Sequence, residues 1–252
     1  MVRFINIILI YLKKIGLAVI IVILFIKCVP NHQEHPNWFG KLKPEYTTIL
    51  GVNIGYSSFQ ELSKIFGYTN KFEQQIECCK HTYFCYKSKA GNNPIAVVFE
   101  GDSWDKTVET INVSQYDSLA ELLSYVPGAL KTDFLGNHCV VNDKIPNVVR
   151  IGDLTFGITQ EQLYKKWGKP SYWDNNIMTY NYFADEKIND KLILRFTRSY
   201  PIAELIKYPF VNVLSRIRIQ FKNDKLVGFS IYQSFQPTGK EEYKGASNIL
   251  RP

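Results

Sequence analysis

Apolar residues recur at helical spacing in two short stretches of the chain. Behind each stretch, apolar and polar residues alternate with the period of two that marks half-buried strands. The later stretch, Phe156 to Pro170 (FGITQEQLYKKWGKP), places Leu163 and Trp167 four positions apart. Gly157 allows a tight entry, Thr159 is positioned to cap the helix with Gln162 as its capping-box partner, and Gly168 with Pro170 ends it. The earlier stretch, Ile54 to Gly67 (IGYSSFQELSKIFG), repeats the design with Gly55, Ser57, Gln60 and Gly67, and Leu62, Ile65 and Phe66 mark its buried face. Each helix therefore needs a sheet to lie on.

The residues after each helix supply one. Phe72 to Tyr86 reads as a two-stranded hairpin, and Ile95 to Gln115 as strand, Asp-containing turn and strand. In the later part the strands are Met178 to Phe183, Leu192 to Phe196, Ser215 to Phe221 and Leu226 to Tyr232, with Asn223-Asp224 as a hairpin turn. The fold class is thus α+β: two tandem units, each a short helix or helix pair on a roughly four-stranded antiparallel sheet, over residues 47–116 and 149–236. Residues 117–148 form a connector in which Leu119, Leu122 and Leu123 predict a helix stopped by Pro127-Gly128, and residues 237–252 form a loose tail. The second unit has an apolar insertion, Ser199 to Asn212. Tyr200, Ile202, Leu205, Tyr208 and Phe210 require it either to fold back on its own unit or to cover a partner as a binding loop.

The first 28 residues differ from the rest. Phe4 to Leu12 and Ile15 to Ile26 are almost wholly apolar, split only by Lys13 and Lys14, which reads as a secretion signal or a membrane anchor. With no small-residue cleavage site before Pro30, retention as an anchor is the expectation. Arg3, Lys13 and Lys14 precede the second run, so the start stays cytoplasmic and the bulk of the chain is extracytoplasmic, periplasmic or at the cell surface. Residues 29–46 read as a tether without periodicity. The charge picture changes accordingly: the segment to Lys27 carries four basic residues and no acidic one, leaving +3 of the formal +7 for everything beyond it. No dense basic stripe remains, and no nucleic-acid partner is expected.

Cysteine placement agrees with export, because Cys78, Cys79, Cys85 and Cys139 form an even set that an oxidising compartment can pair. The expected pattern is one bridge within Cys78 to Cys85 and one reaching Cys139. A metal site from Cys78, Cys79, His81 and Cys85, or free buried thiols, are the alternatives, and a single cluster is poor zinc spacing. No catalytic, cofactor or metal residues are assigned. The chain has no GxSxG elbow, phosphate loop or dinucleotide fingerprint, and His138 beside Cys139 would point the other way in a strand. Gly101-Asp102-Ser103 falls at a hairpin turn, where turn geometry asks for such residues. Aromatics alternate in Tyr180 and Tyr182, and an apolar pair recurs in Phe229 and Ile231, predicting one aromatic sheet face whose wet or dry character the pattern leaves open.

The set Gly157, Thr159, Gln162, Leu163, Gly168 and Pro170, echoed by Gly55, Ser57, Leu62 and Gly67, resembles the SmpA/OmlA family of outer-membrane barrel-assembly lipoproteins. By fold its larger relatives include the tandem β-lactamase inhibitor protein. Phe25, Ile26 and Lys27 before Cys28 depart from a lipobox, and Tyr68 and Thr69 stand where the first unit's proline should be. The resemblance implies a membrane-tethered, extracytoplasmic protein-binding or envelope-assembly module without catalytic activity. The alternative is an extracytoplasmic enzyme with an unrecognised active site.

Overall fold

The computed structural model describes residues 38–68, 71–76, 79–89, 91, 93–103, 106–123, 137–197 and 207–239. The anchor segment and half of the tether, residues 29–37, lie outside the described residues. Among the described residues no helix is long and apolar enough to cross a membrane. In chain order the elements are β1 (Trp38–Phe39), α1 (Pro44–Thr47), β2 (Thr48–Ile49), β3 (Val52–Asn53), α2 (Phe59–Phe66), β4 (Phe72–Ile76), β5 (Cys79–Lys87), β6 (Ile95–Asp102), β7 (Thr110–Gln115) and α3 (Leu119–Leu122). They continue with β8 (Cys139–Val141), β9 (Arg150–Ile151), β10 (Leu154–Thr155), α4 (Gln160–Trp167), β11 (Tyr172–Asp174), β12 (Ile177–Lys187), α5 (Asp190–Phe196), β13 (Phe210–Lys222) and β14 (Lys225–Thr238). Apart from α1, α3 and α5, the order of three strands, a helix and four strands occurs twice, first over residues 38–123 and then over 137–239.

The architecture is α+β, dominated by one large antiparallel sheet. Strands β4 to β7 form a meander and β11 to β14 form another. The sequence predicts separate four-stranded sheets, but β7 pairs with β14, from Thr110↔Tyr232 to Ser114↔Gly228, and fuses both meanders into a ten-stranded sheet. The physical reason is visible in the two strands. Side by side, Ile111 and Val113 of β7 and Phe229 and Ile231 of β14 enter a single core, and neither strand is left as an unpaired edge. The outer edges are completed reciprocally: β8 of the second half runs parallel to β5 of the first, and β1 of the first half runs parallel to β12 of the second.

Helices α2 and α4 contribute to the same core, which holds Leu62, Phe66, Leu163 and Trp167 with Phe99, Tyr180, Tyr182 and Ile217. The alternating aromatics therefore belong to the dry face. In α4 the predicted capping box is formed: Gln162 N donates to Thr159 Oγ1 at 3.2 Å, and Thr159 N to Gln162 Oε1 at 3.0 Å. In α2 the cap is Ser58 with Glu61, one residue beyond the expected Ser57 and Gln60; Glu61 N donates to Ser58 Oγ at 3.2 Å. Ser57 Oγ instead accepts from Asn53 N and closes the preceding turn. Gly55 is required there, because its φ is +80° and a Cβ would lie 2.1 Å from the Phe235 ring. Asn223 and Asp224 both have positive φ, 51° and 61°, the type I′ geometry of a two-residue hairpin.

Three further expectations are corrected. Leu192 to Phe196 is helical, because Asn189 caps it by accepting from Leu192 N at 3.1 Å while Leu192 and Phe196, four apart, are buried with Val211 and Val213. Arg195 of this helix is also buried; it donates to Gly55 O at 2.8 Å and pairs with Glu109. The end of the tether is folded into the protein, since Trp38 pairs with β12 and Tyr46 is fully buried against Trp167, ring centroids 5.5 Å apart. Pro237 and Thr238, assigned to the tail, close β14 opposite Val211 and Phe210.

Candidate functional site: the polar sheet face

Alternation fixes the opposite face of the sheet. Wherever Ile111, Val113, Ile217, Ile219, Phe229 and Ile231 point into the helical core, their neighbours Thr110, Asn112, Arg216, Arg218, Ser230 and Tyr232 point away from it. Over β5 and β6, as far as Tyr83 and Val98, this second face is dry. Tyr83, Cys85, Ala96 and Val98 pack beneath Leu119, Leu123 and Cys139. Helix α3 ends this cover beside β7 and β14, and from there to β12 the face is polar.

Two clefts occupy the polar area and meet at Arg216 and Arg218. One, of about 240 Å³, is lined by Glu100, Thr110, Asn112, Leu122, Ser230 and Tyr232 together with the two arginines. The other, of about 300 Å³, continues over Thr179, Asn181, Ile177, Tyr172 and Asp174. Helix α3 forms one wall and is fastened by Glu121, whose carboxylate accepts from Gln220 Nε2 at 2.6 Å and Asn176 Nδ2 at 3.2 Å. Arg218 Nη1 donates to Leu122 O at 3.4 Å. Arg216 donates through Nε to Asn181 Oδ1 at 3.0 Å; among the described residues its terminal nitrogens have no protein partner and no carboxylate pairs with it. Asn112 is 2 % exposed and its Nδ2 has no hydrogen-bond partner among the described residues. Unused donors thus remain on Arg216, where the clefts meet, and on Asn112 in the first cleft.

The far end has the opposite sign. Glu100 lies 3.5 Å from His81 Nδ1, an ion-pair distance. That carboxylate raises the imidazole pKa above its ordinary 6.5, against the opposing effect of burial. A raised folded-state value means that the pair's stabilisation is complete below about pH 6.5 and fades as pH rises through the folded value. In an NMR titration His81 is expected to titrate above 6.5, and at a lower pH in Glu100→Gln than in the parent. An unchanged midpoint in that variant would show that Glu100 is not the cause.

Of the residues singled out in the sequence, Cys85 and Cys139 form a disulfide across β5 and β8. This is the expected staple to Cys139, but it consumes Cys85. A short-range bridge or metal cluster that uses Cys85 is therefore excluded, since a disulfide sulfur offers no thiolate. Cys78 and the Cys79 side chain lie outside the described residues, as do Tyr200, Ile202 and Leu205 of the proposed partner-binding loop. Tyr208 is exposed and Phe210, expected in the loop, opens β13. Gly101 and Asp102 end β6 rather than forming a turn, and Gly101 is needed because a Cβ would sit 1.9 Å from Thr107 O. The repeat-motif residues bring the two helices onto the core and contribute nothing to the polar face.

The polar face is not among the features that the sequence singles out. Its signal is SRIRIQF, where Arg216 and Arg218 alternate with Ile217 and Ile219, but alternation alone does not reveal that α3 walls the arginines into a cleft. No protein-family model, curated protein or solved structure matches the chain.

Proposed function

We propose that this chain is a membrane-tethered, extracytoplasmic protein-interaction or envelope-assembly module, made of two duplicated α+β units without catalytic activity, that receives its partner on the polar sheet face. The observation that carries the reading is the pair of joined clefts, where Arg216 presents unpartnered donors on β13, a strand paired on both sides. Duplication is supported by corresponding bonds in the two halves. Gly55 N donates to Val108 O and Gly157 N to Leu226 O, at 2.7 and 2.9 Å. Tyr86 Oη donates to Gly67 O and Tyr180 Oη to Gly168 O, both at 3.0 Å. The two meanders also share one strand order.

The enzymatic alternative draws on the ionisable lining of the first cleft, Glu100, Arg216, Arg218 and Tyr232. Against it, the cleft hydroxyls of Thr110 and Ser230 are hydrogen-bonded to no histidine or carboxylate among the described residues, so neither has the base that a nucleophile needs. A photo-crosslinking residue at Ser230 or Asn181 of the full membrane-bound chain should yield a protein adduct that is absent when it replaces Tyr164, exposed on α4. Adducts from Tyr164 alone would move the interface to the helical side. An alkaline phosphatase fused after Pro252 should be active, and activity of a cytoplasm-only reporter there would reverse the topology.

A further inference from the structure

We infer that the junction of the two clefts is a recognition site for a carboxylate side chain, and that the partner presents an acidic residue on an extended segment laid across β7, β14, β13 and β12. This rests on the reading of the polar face as a protein-binding surface and specifies what the face selects.

Unmatched donors define the site. A guanidinium offers five N–H donors in a planar fork, and Arg216 uses only Nε, on Asn181. On the same face, two strands from Arg218 through the Arg218↔Ser230 and Ser230↔Asn112 pairings, Asn112 Nδ2 is buried without an acceptor. A buried donor left unpaired is costly, and a ligand oxygen removes the cost. Arg218 adds a second positive charge between the clefts. An acceptor with negative charge and planar two-oxygen geometry matches the free fork of Arg216, and a carboxylate on a guanidinium is such a pairing.

Glu100 decides between anions. It lines the same cleft as Arg216, and once its partner His81 is neutral it repels a dianion such as phosphate more than a singly charged carboxylate with neutral neighbours. The two clefts are lined from several neighbouring strands, and Tyr172 and Tyr232 are among the lining residues, aromatic side chains that can pack against neutral ones. That shape fits a segment of chain better than a free ion.

The test uses the purified chain and three capped, fluorescently labelled peptides of alternating Ser with Glu, Gln or Lys, with inorganic phosphate as competitor. The Glu peptide should bind saturably and the other two at least about tenfold more weakly, the scale of a charged hydrogen bond. Arg216→Gln and Arg218→Gln should each weaken the Glu peptide by about tenfold, and Arg216→Lys should not restore it, because an ammonium lacks the fork. Lys165→Gln on α4 should leave binding unchanged. Equal binding of the Gln peptide, insensitivity to both arginine variants, or displacement of the Glu peptide by equimolar phosphate would each overturn the inference. Crosslinks from Ser230 to a partner without any preference for acid would remove carboxylate selection while leaving protein binding by this face in place.

Discussion

Trp167→Ala is expected to destabilise the protein by about 3 to 5 kcal/mol. Trp167 is 2 % exposed and lies edge-on between Tyr46, at 5.5 Å between ring centroids, and Tyr180, at 5.3 Å. Removing the indole deletes one of the largest side chains of α4 and leaves a void that neither tyrosine can fill, since Tyr180 is held by its hydroxyl on Gly168 O and Tyr46 packs against Gly152. The buried Nε1 has no hydrogen-bond partner among the described residues, so Trp167→Phe gives up volume alone and should cost clearly less than alanine. Equilibrium urea unfolding monitored by far-UV circular dichroism checks both variants. An alanine cost under about 1 kcal/mol would mean that the surrounding rings collapse onto the site.

Loss of the Cys85–Cys139 disulfide should cost about 4 kcal/mol. The bridge joins residues 54 apart, and in the chain-entropy model closing a loop of that length removes roughly this much denatured-state freedom. The native state gains from it as well, because the bond fastens β8 against β5 and completes the small core of Tyr83, Val98, Leu119 and Leu123. Comparing Cys85→Ala/Cys139→Ala with the parent, each with and without reductant, separates this bond from any other. The parent should lose stability on reduction down to the level of the double variant. A parent indifferent to reductant would rule out the disulfide's contribution.

Much of this fold could be read from local chemistry. The capped helices, the Asn223-Asp224 turn and the apolar faces of β7, β13 and β14 are all specified by residues within a few positions of one another. What could not be read is decided by distant partners. Nothing near Leu192 says that Asn189 will cap a helix rather than precede a strand, and Trp38 reads as a tether residue because its strand partner, Tyr182, is over a hundred residues away. The fusion of two sheets into one is of the same kind, since a period-two pattern assigns faces but leaves edges unassigned. The candidate site was legible only as single residues: Arg216 and Arg218 are ordinary strand positions until α3 stands beside them.

The reciprocal pairing of β1 with β12 and of β8 with β5 bears on how the chain can be divided. A cut between residues 123 and 137 yields two pieces, each of which carries one strand that belongs on the other and lacks the strand that covers its own edge. Tyr46 leaves with one piece and Trp167 with the other. Such fragments are unsuited to separate lives as domains but complementary to each other, and their reassembly would restore the β7–β14 seam, both exchanged strands and the buried ring pair in one step. The chain therefore offers a natural split point for reporting when two tethered halves meet.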